Sequence, residues 1–423
     1  MHLLKKFFHN PAFVPLCLAA AVAVRVGWIL IVNPQPVSDM HWYYDHAVDI
    51  AQGRGYTLRP GGFWPENIPP PTLIPSTAYP DSGLPTAYWP VGYPAFLAAI
   101  FAVTGPSVRA GQVANLVLGL GAVGLAYAIA RRLFGDETVA RLTLLILVFY
   151  PNHIVYTTLL ASEPLFLFLL LAGIALLLPP RSLGWNLAAG VVFGLACLVK
   201  PQAILVPLIV LVSQKQFRAI LPVYLILAVT LAPWLARNYG VFDQSVFIST
   251  NGGYNMLVGH NAHADGGYVF NRAITVILAP ARAEPARDRL AARLAAAHIA
   301  ANPVETIQRW PLKLWHLYAR DTDGLYWNEQ GLGGSISLFW LKIPAQLYYL
   351  AILAGFVAFL LGPARRCSAQ TRLGVWLVLY FSAVTLLTFG YSRFHHPLMP
   401  WLAMYAAAAG QAVRERRRLV PYK

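Results

Sequence analysis

Charge is what this sequence has least of. Only 12% of its 423 residues are Asp, Glu, Lys or Arg, and the acidic ones are rarest, 17 against 32 basic. Soluble domains carry about 25% charged residues. With 57% of the chain hydrophobic, the composition excludes a water-soluble globule and makes the bilayer the solvent. Cysteine is nearly missing as well. Cys17, Cys197 and Cys367 lie in or beside apolar runs at no metal-ligand spacing and receive no role. The net charge of +15 does not point to nucleic acid, because the cations are not spread as a binding face. They gather at the ends of apolar runs: Lys5-Lys6, Arg131-Arg132, Arg181, Lys215 with Arg218, Arg365-Arg366, and Arg414 with Arg416-Arg417-Arg418. That is the positive-inside pattern.

With those clusters as cytoplasmic markers, the apolar runs alternate in direction. Residues 11–32, 139–160, 187–198, 220–235 and 373–387 run outward; 112–130, 164–178, 201–212, 338–361 and 400–413 return. The expectation is an all-α polytopic membrane protein of about ten transmembrane helices. Residues 1–423 form one membrane-embedded domain with both termini cytoplasmic. The first run is too long for a signal-peptide core and no cleavage site follows it, so it stays as a helix.

Two long connections fall outside. The first, 33–109, is rich in proline (Pro69-Pro70-Pro71, Pro75, Pro80, Pro85, Pro90, Pro94) and contains an interfacial helix over 88–103. The second, 238–335, contains an Ala/Arg helix over 285–301 and a more aromatic segment over 304–318; both read as amphipathic elements on the membrane lipid surface. Residues 336–423 hold the last transmembrane helices.

The stretch after the first run is the candidate chemical centre. Ser38 is placed as an N-cap and Gly53 and Gly55 as a stop, with three to four helical turns between them. Asp39, Tyr43 and His46 then share one face. Elsewhere, charge sits at helix ends on the same outer side: Glu163 in Ser162-Glu-Pro164, Lys200 before Pro201, Arg237 before Asn238, and Arg393 with His395 and His396 before Pro397. Each alone reads as a snorkelling or hairpin residue, but their agreement describes a polar cavity that opens outward. Such a cavity suits a sugar carried on a polyprenyl phosphate. Asp39 would take the acceptor proton, and Lys200, Arg237 and Arg393 would face the phosphate. Trp42, Tyr43, Tyr88, Trp89 and Tyr93 either stack on substrate or anchor the interface. Asn251 and Asn255, in the Asn/Gly-rich run 249–261, either shape an acceptor pocket or belong to a turn-rich loop.

These motifs, taken in order, resemble the GT-C superfamily of integral-membrane glycosyltransferases. The likeness is to the branch containing the lipid A aminoarabinose transferase and the rhizobial galacturonosyl transferases, and more distantly to the protein O-mannosyltransferases. It is carried by Ser38-Asp39 with Tyr43 and Gly53-Arg-Gly55, Tyr93-Pro94, Ala130-Arg-Arg-Leu-Phe-Gly135, Ser162-Glu-Pro-Leu-Phe166 and Gly194-Leu-Ala-Cys-Leu-Val-Lys-Pro201. Pro233-Trp-Leu-Ala-Arg-Asn238, Ser249-Thr-Asn-Gly-Gly253, Asn302-Pro303 with Lys313-Leu314, and Arg393-Phe-His-His-Pro397 with Met399-Pro400 continue it. The resemblance implies an inverting transfer from an undecaprenyl-phosphate sugar to a periplasmic lipid, glycan or protein, at the outer face of a bacterial inner membrane. It places the base on Asp39 and a phosphate contact on Arg393, and makes Glu163 and Lys200 polar hairpin positions. Many relatives pair two acids in the first loop, whereas Met40 follows Asp39 here. A single-carboxylate mechanism is implied, no cofactor is required, and a divalent metal on such a pair lacks support. The rival reading, a lipid-linked-sugar transporter or flippase, expects repeats and broken helices; no repeat is present.

Overall fold

The computed structural model describes residues 10–58, 83–178, 182–269, 271–281, 283–362 and 370–419. The prolines from 69 to 80, Cys367, the basic markers Lys5, Lys6, Arg181, Arg365 and Arg366, and the side chains of Arg414 and Arg416 to Arg418 lie outside the described residues. The rest is almost entirely helical. Helix α1 (Phe13–Ile31) leads into α2 (Asp39–Ala51), followed by the two-residue strands β1 (Thr57–Leu58) and β2 (Leu84–Pro85), paired antiparallel. Helix α3 (Gly92–Thr104) packs on α2.

Helices α4 (Val108–Phe134) and α5 (Glu137–Val148) form a tight hairpin whose chemistry is legible residue by residue. Gly135 takes the left-handed C-terminal position at φ 63°, and Asp136 accepts hydrogen bonds from the amides of Thr138 and Val139 to cap α5. The expected span over 139–160 is not one helix. Pro151 has no amide to continue the ladder, so α5 stops at Val148 and a short α6 (Pro151–Val155) restarts after it. The carbonyls freed at the break are not left bare. Arg25, fully buried in α1, donates Nη1 to Val148 O at 3.2 Å and Nη2 to Leu147 O at 3.4 Å.

Helix α7 (Glu163–Leu177) is the centre of the bundle, packed against α4 and against α8 (Leu183–Val199). It is apolar on every side and buried through Leu165, Phe166, Leu170, Leu171, Ile174 and Leu177. Helix α1 instead leaves Leu16, Val22, Leu30 and Ile31 exposed, as a lipid-facing surface does. A 3-10 turn (Pro201–Leu205) and α9 (Val206–Ser213) lead to α10 (Ile220–Phe242). Gly190 and Gly194 let α8 and α10 approach closely: a Cβ on Gly190 would come within 2.6 Å of Val223 O. Helix α10 also runs past the expected end at 235, so Arg237 lies within it rather than beyond it.

The second connection is helical too. The run 249–261, read as a turn-rich loop, contains α11 (Gly252–Gly259), which packs on α13 (Glu284–Ala301) beyond α12 (Arg272–Leu278). Then come α14 (Pro303–Gln308), α15 (Trp310–Tyr318) and α16 (Asp323–Leu332). Helices α17 (Phe339–Leu361), α18 (Leu373–Leu387) and α19 (Met399–Leu419) close the bundle, with α19 wedged between α17 and α5. Among the described residues, four helical stretches are long and apolar enough to cross a bilayer: α1, α4, α10 with its lead-in (Phe217–Phe242), and α17. Five shorter apolar helices accompany them, α3, α7, α8, α18 and Pro201–Ser213.

Candidate active site

Four segments distant in sequence meet at one end of the bundle. Asp39 opens α2, Glu163 opens α7, Lys200 follows α8, and Arg393 sits in a 3-10 turn (Ser392–Leu398) ahead of α19. Asp39 Oδ2 accepts a hydrogen bond from Arg393 Nη2 at 2.5 Å. Arg393 Nε lies 3.2 Å from Glu163 Oε1, which accepts from Lys200 Nζ at 2.8 Å. The result is a continuous row of alternating charge. The carboxylates are covered, at 8% and 1% side-chain exposure, while each cation keeps 15%. Burial opposes the charge on Arg393, but Asp39 and Glu163 outweigh it and hold the guanidinium's pKa well above its ordinary value. Asp39 Oδ1 and Glu163 Oε2 are buried without a hydrogen-bond partner.

The chain enters this site through a strained residue. Ser38 has φ 54° and ψ −133°, and its side chain does not cap α2, contrary to the expectation from sequence. A non-glycine residue there costs roughly 1–3 kcal/mol, and the turn sets Asp39 as the first helical residue. One turn on, Tyr43 is buried beside Asp39, Arg393 and Glu163. Burial, reinforced by Asp39, raises its phenol pKa well above the usual value, so it stays a neutral group. Tyr93 packs edge-on against Tyr43 at 5.4 Å and donates its hydroxyl to Asn115 Oδ1 at 3.3 Å.

The histidines of the 393–397 motif diverge. His395 is fully buried, with Nδ1 2.6 Å from Leu317 O and Nε2 3.0 Å from Asp321 Oδ1, and its ring stacks on Tyr349 at 4.9 Å. Both nitrogens are therefore occupied by the protein. Asp321 accepts further from Asn152 Nδ2 at 2.5 Å and from the Tyr150 hydroxyl. The sequence reading missed Asp321, Tyr150 and Asn152. Their only signals were an acid pair, Asp321-Thr-Asp323, in an acid-poor chain and polar residues directly after Pro151. His396 turns the other way, into a cavity with His153 and Tyr156.

Other expected site residues lie elsewhere. Arg237 does not join the ion row. Its Nη1 donates to Thr86 O at 2.8 Å and Nη2 to Tyr56 O at 2.8 Å, with the guanidinium over the Trp234 ring at 4.8 Å. It ties the β1–β2 segments to α10. His46 stacks on Trp42 at 3.9 Å with Nδ1 2.9 Å from Trp42 O, inside an aromatic cluster that also holds Tyr56 and Tyr88. Tyr88 lines a separate cavity with Thr250, Tyr254 and Glu284. Asn251 and Asn255 are half-buried; Asn251 Oδ1 accepts from the Ser249 hydroxyl at 3.0 Å. Glu284 anchors this region through the amide of Ala87 at 3.0 Å and the Thr250 hydroxyl at 2.9 Å.

The residues around Asp39 do not fit a divalent cation. A guanidinium occupies the place between the two carboxylates, and among the described residues no three His, Cys, Asp or Glu side chains converge as ligands.

Comparison with known proteins agrees with this architecture. Residues 89–236 match the dolichyl-phosphate-mannose-protein mannosyltransferase family. The oligosaccharyltransferase of Archaeoglobus fulgidus, solved tethered to an acceptor peptide, matches at a TM-score of 0.55 and 15% identity, over 98% of this chain and 51% of that one. Its complex with Zn and sulfate matches at 0.53 and 14%, over 95% and 50%. The chain thus spans about half the length of that protein. ArnT from Cupriavidus metallidurans, solved bound to undecaprenyl phosphate, matches at 0.44 and 15%, over 97% and 79%. A search of curated proteins finds no match. The chain has the GT-C fold of integral-membrane glycosyltransferases, as its ordered motifs led us to expect.

Proposed function

We propose that the protein transfers a sugar from a polyprenyl phosphate, undecaprenyl phosphate in a bacterial membrane, to an acceptor hydroxyl, with inversion. One observation carries this reading: the buried, unpartnered Asp39 Oδ1 beside two partly exposed cations. The acceptor oxygen attacks the anomeric carbon as its proton passes to Asp39. The bond from that carbon to the phosphate oxygen breaks, and the phosphodiester leaves as a phosphate monoester with one further negative charge. Arg393 and Lys200 stabilise that charge as it develops. Glu163 holds the two cations together through Oε1, and Arg393 orients Asp39.

The site faces the periplasm in this reading, with both termini in the cytoplasm, supported by the basic clusters at the opposite helix ends. The acceptor is a lipid, glycan or protein hydroxyl. The transporter reading expects a broken helix, and one occurs between α5 and α6. There, however, Arg25 takes the carbonyls of Leu147 and Val148. The test is a turnover assay in liposomes containing undecaprenyl-phosphate sugars and candidate acceptors, read as released undecaprenyl phosphate. Release by the wild type that is lost in a folded Asp39→Asn variant supports the reading. Full activity in that variant removes Asp39 as the base.

A further inference from the structure

Lys313, in α15, is fully buried, and the partners of its ammonium are all neutral. Nζ lies 2.9 Å from His260 Nε2 and donates to Leu386 O at 2.9 Å and to Thr388 O at 2.5 Å. An ammonium has three donors, so none is left over for a substrate. Burial, followed by Arg309, lowers the Lys313 pKa to about 8, and burial, followed by Lys313, lowers that of His260 to about 4. At neutral pH the lysine is therefore charged and the imidazole accepts from it. Leu386 and Thr388 stand at the C-terminal end of α18, where the last carbonyls have no partner within the helix and a cation meets the negative end of its dipole. Two glycines let the neighbouring elements come this close. A Cβ on Gly259 would fall 1.8 Å from Thr388 O, and one on Gly390 would fall 2.0 Å from Lys313 O.

The segment held in this way leads directly into the turn that carries Arg393. The Gly390 amide donates to Gly266 O at 2.7 Å, and the turn begins two residues later at Ser392. One helical turn beyond Lys313, Leu317 O lies 2.6 Å from His395 Nδ1. Helix α15 therefore grips the chain twice, at 386–388 and at 395, and Arg393 is held between the two grips. From there it reaches Asp39 and Glu163. We infer that Lys313 is a positioning residue for glycosyl transfer: its ammonium fixes the segment that sets Arg393 against Asp39 and Glu163. The inference rests on the transfer reading above. A Met or Leu would fill the space without the cost of burying a charge, so packing alone does not call for a lysine here. The two carbonyls do.

Lys313→Met removes the donors and keeps a long side chain. The experiment introduces it into the full chain twice, beside the native Arg393 and beside Arg393→Lys, whose ammonium lacks the two-pronged reach that positioning serves. Turnover per folded molecule and affinity for undecaprenyl phosphate are both read in liposomes, so a variant too slow to assay is still scored by binding. Beside Arg393, Lys313→Met should lower turnover roughly 10- to 100-fold and weaken carrier binding. Beside Arg393→Lys, the further loss in either should be about 3-fold or less. A lysine that only holds structure would instead cost stability in both backgrounds and leave turnover per folded molecule unchanged. Should Lys313→Met not fold, His260→Leu takes its place: it removes one partner, leaves both carbonyls bonded, and should show a smaller loss with the same dependence on Arg393. Equal losses in the two backgrounds, or full turnover from the folded variant beside Arg393, overturns the inference. A wild type that releases no undecaprenyl phosphate overturns the transfer reading, and the inference falls with it.

Discussion

Two buried aspartates flank the Ser392–Leu398 turn, and their surroundings could hardly differ more. Asp321, 2% exposed, has both oxygens occupied: Asn152 and His395 meet Oδ1, and the Tyr150 hydroxyl meets Oδ2. Asp39, 6% exposed, spends Oδ2 on Arg393 and keeps Oδ1 without a partner. A carboxylate whose acceptors are all taken holds structure together, because any change leaves several donors stranded. One that keeps a free oxygen beside a fixed cation is able to accept a proton. Under the proposed transfer, the same turn supplies Arg393 to the chemistry and His395 to the scaffold, two residues apart.

The largest expected effect tests the reactive half of this comparison. Asp39→Asn keeps shape and hydrogen bonding but not basicity, and should lower turnover by about 10²- to 10⁴-fold, with an unfolding temperature close to wild type. A variant that unfolds instead would make Asp39 a structural acid like Asp321. Arg393→Ala comes next. It leaves Asp39 and Glu163 buried without their shared cation, and should cost about 3–5 kcal/mol of stability in addition to donor affinity, measured by thermal unfolding and direct carrier binding. Arg393→Lys restores charge without the two-pronged reach, so it should recover stability more fully than turnover. Asp321→Ala tests the other half. With Tyr150, Asn152 and His395 stranded, the loss should be about 1–3 kcal/mol, and turnover per folded molecule should change little.

How much of this could be read from residues alone follows the same division. The helices came from long apolar runs, and the meeting of Asp39, Glu163, Lys200 and Arg393 followed from charge at helix ends on one side of the membrane. Charge is so scarce in this chain that each such residue stands out. Asp321 did not stand out, because its partners come from Tyr150, Asn152 and His395, and nothing local in sequence pairs them. Arg237 misled for the complementary reason. Its position at the end of an apolar run matches that of Arg393, but its donors go to the carbonyls of Tyr56 and Thr86, and backbone acceptors leave no trace in side-chain identity. The break at Pro151 was visible as a proline. That a lone arginine within α1 would occupy its carbonyls depends on how two helices pack, and no spacing rule gives that.

The contrast recurs one residue apart in His395 and His396, and acid should separate them by a smaller effect. His395 has an acceptor at each ring nitrogen, whereas His396 Nδ1 has none. Burial, followed by His395, Lys200 and Arg393, lowers the folded His396 pKa from 6.5 to about 3. Between those values the unfolded chain binds the proton and the folded chain does not. The stability this group preserves is thus complete above about pH 6.5 and drains away as the pH falls toward 3. Unfolding temperatures taken in detergent from pH 7 to pH 4 should decline for the wild type. His396→Gln, which cannot titrate, should lose part of that slope while being somewhat less stable at pH 7. If the two slopes coincide, His396 is not the titrating group, and the cavity it faces is wetter than its 2% exposure indicates.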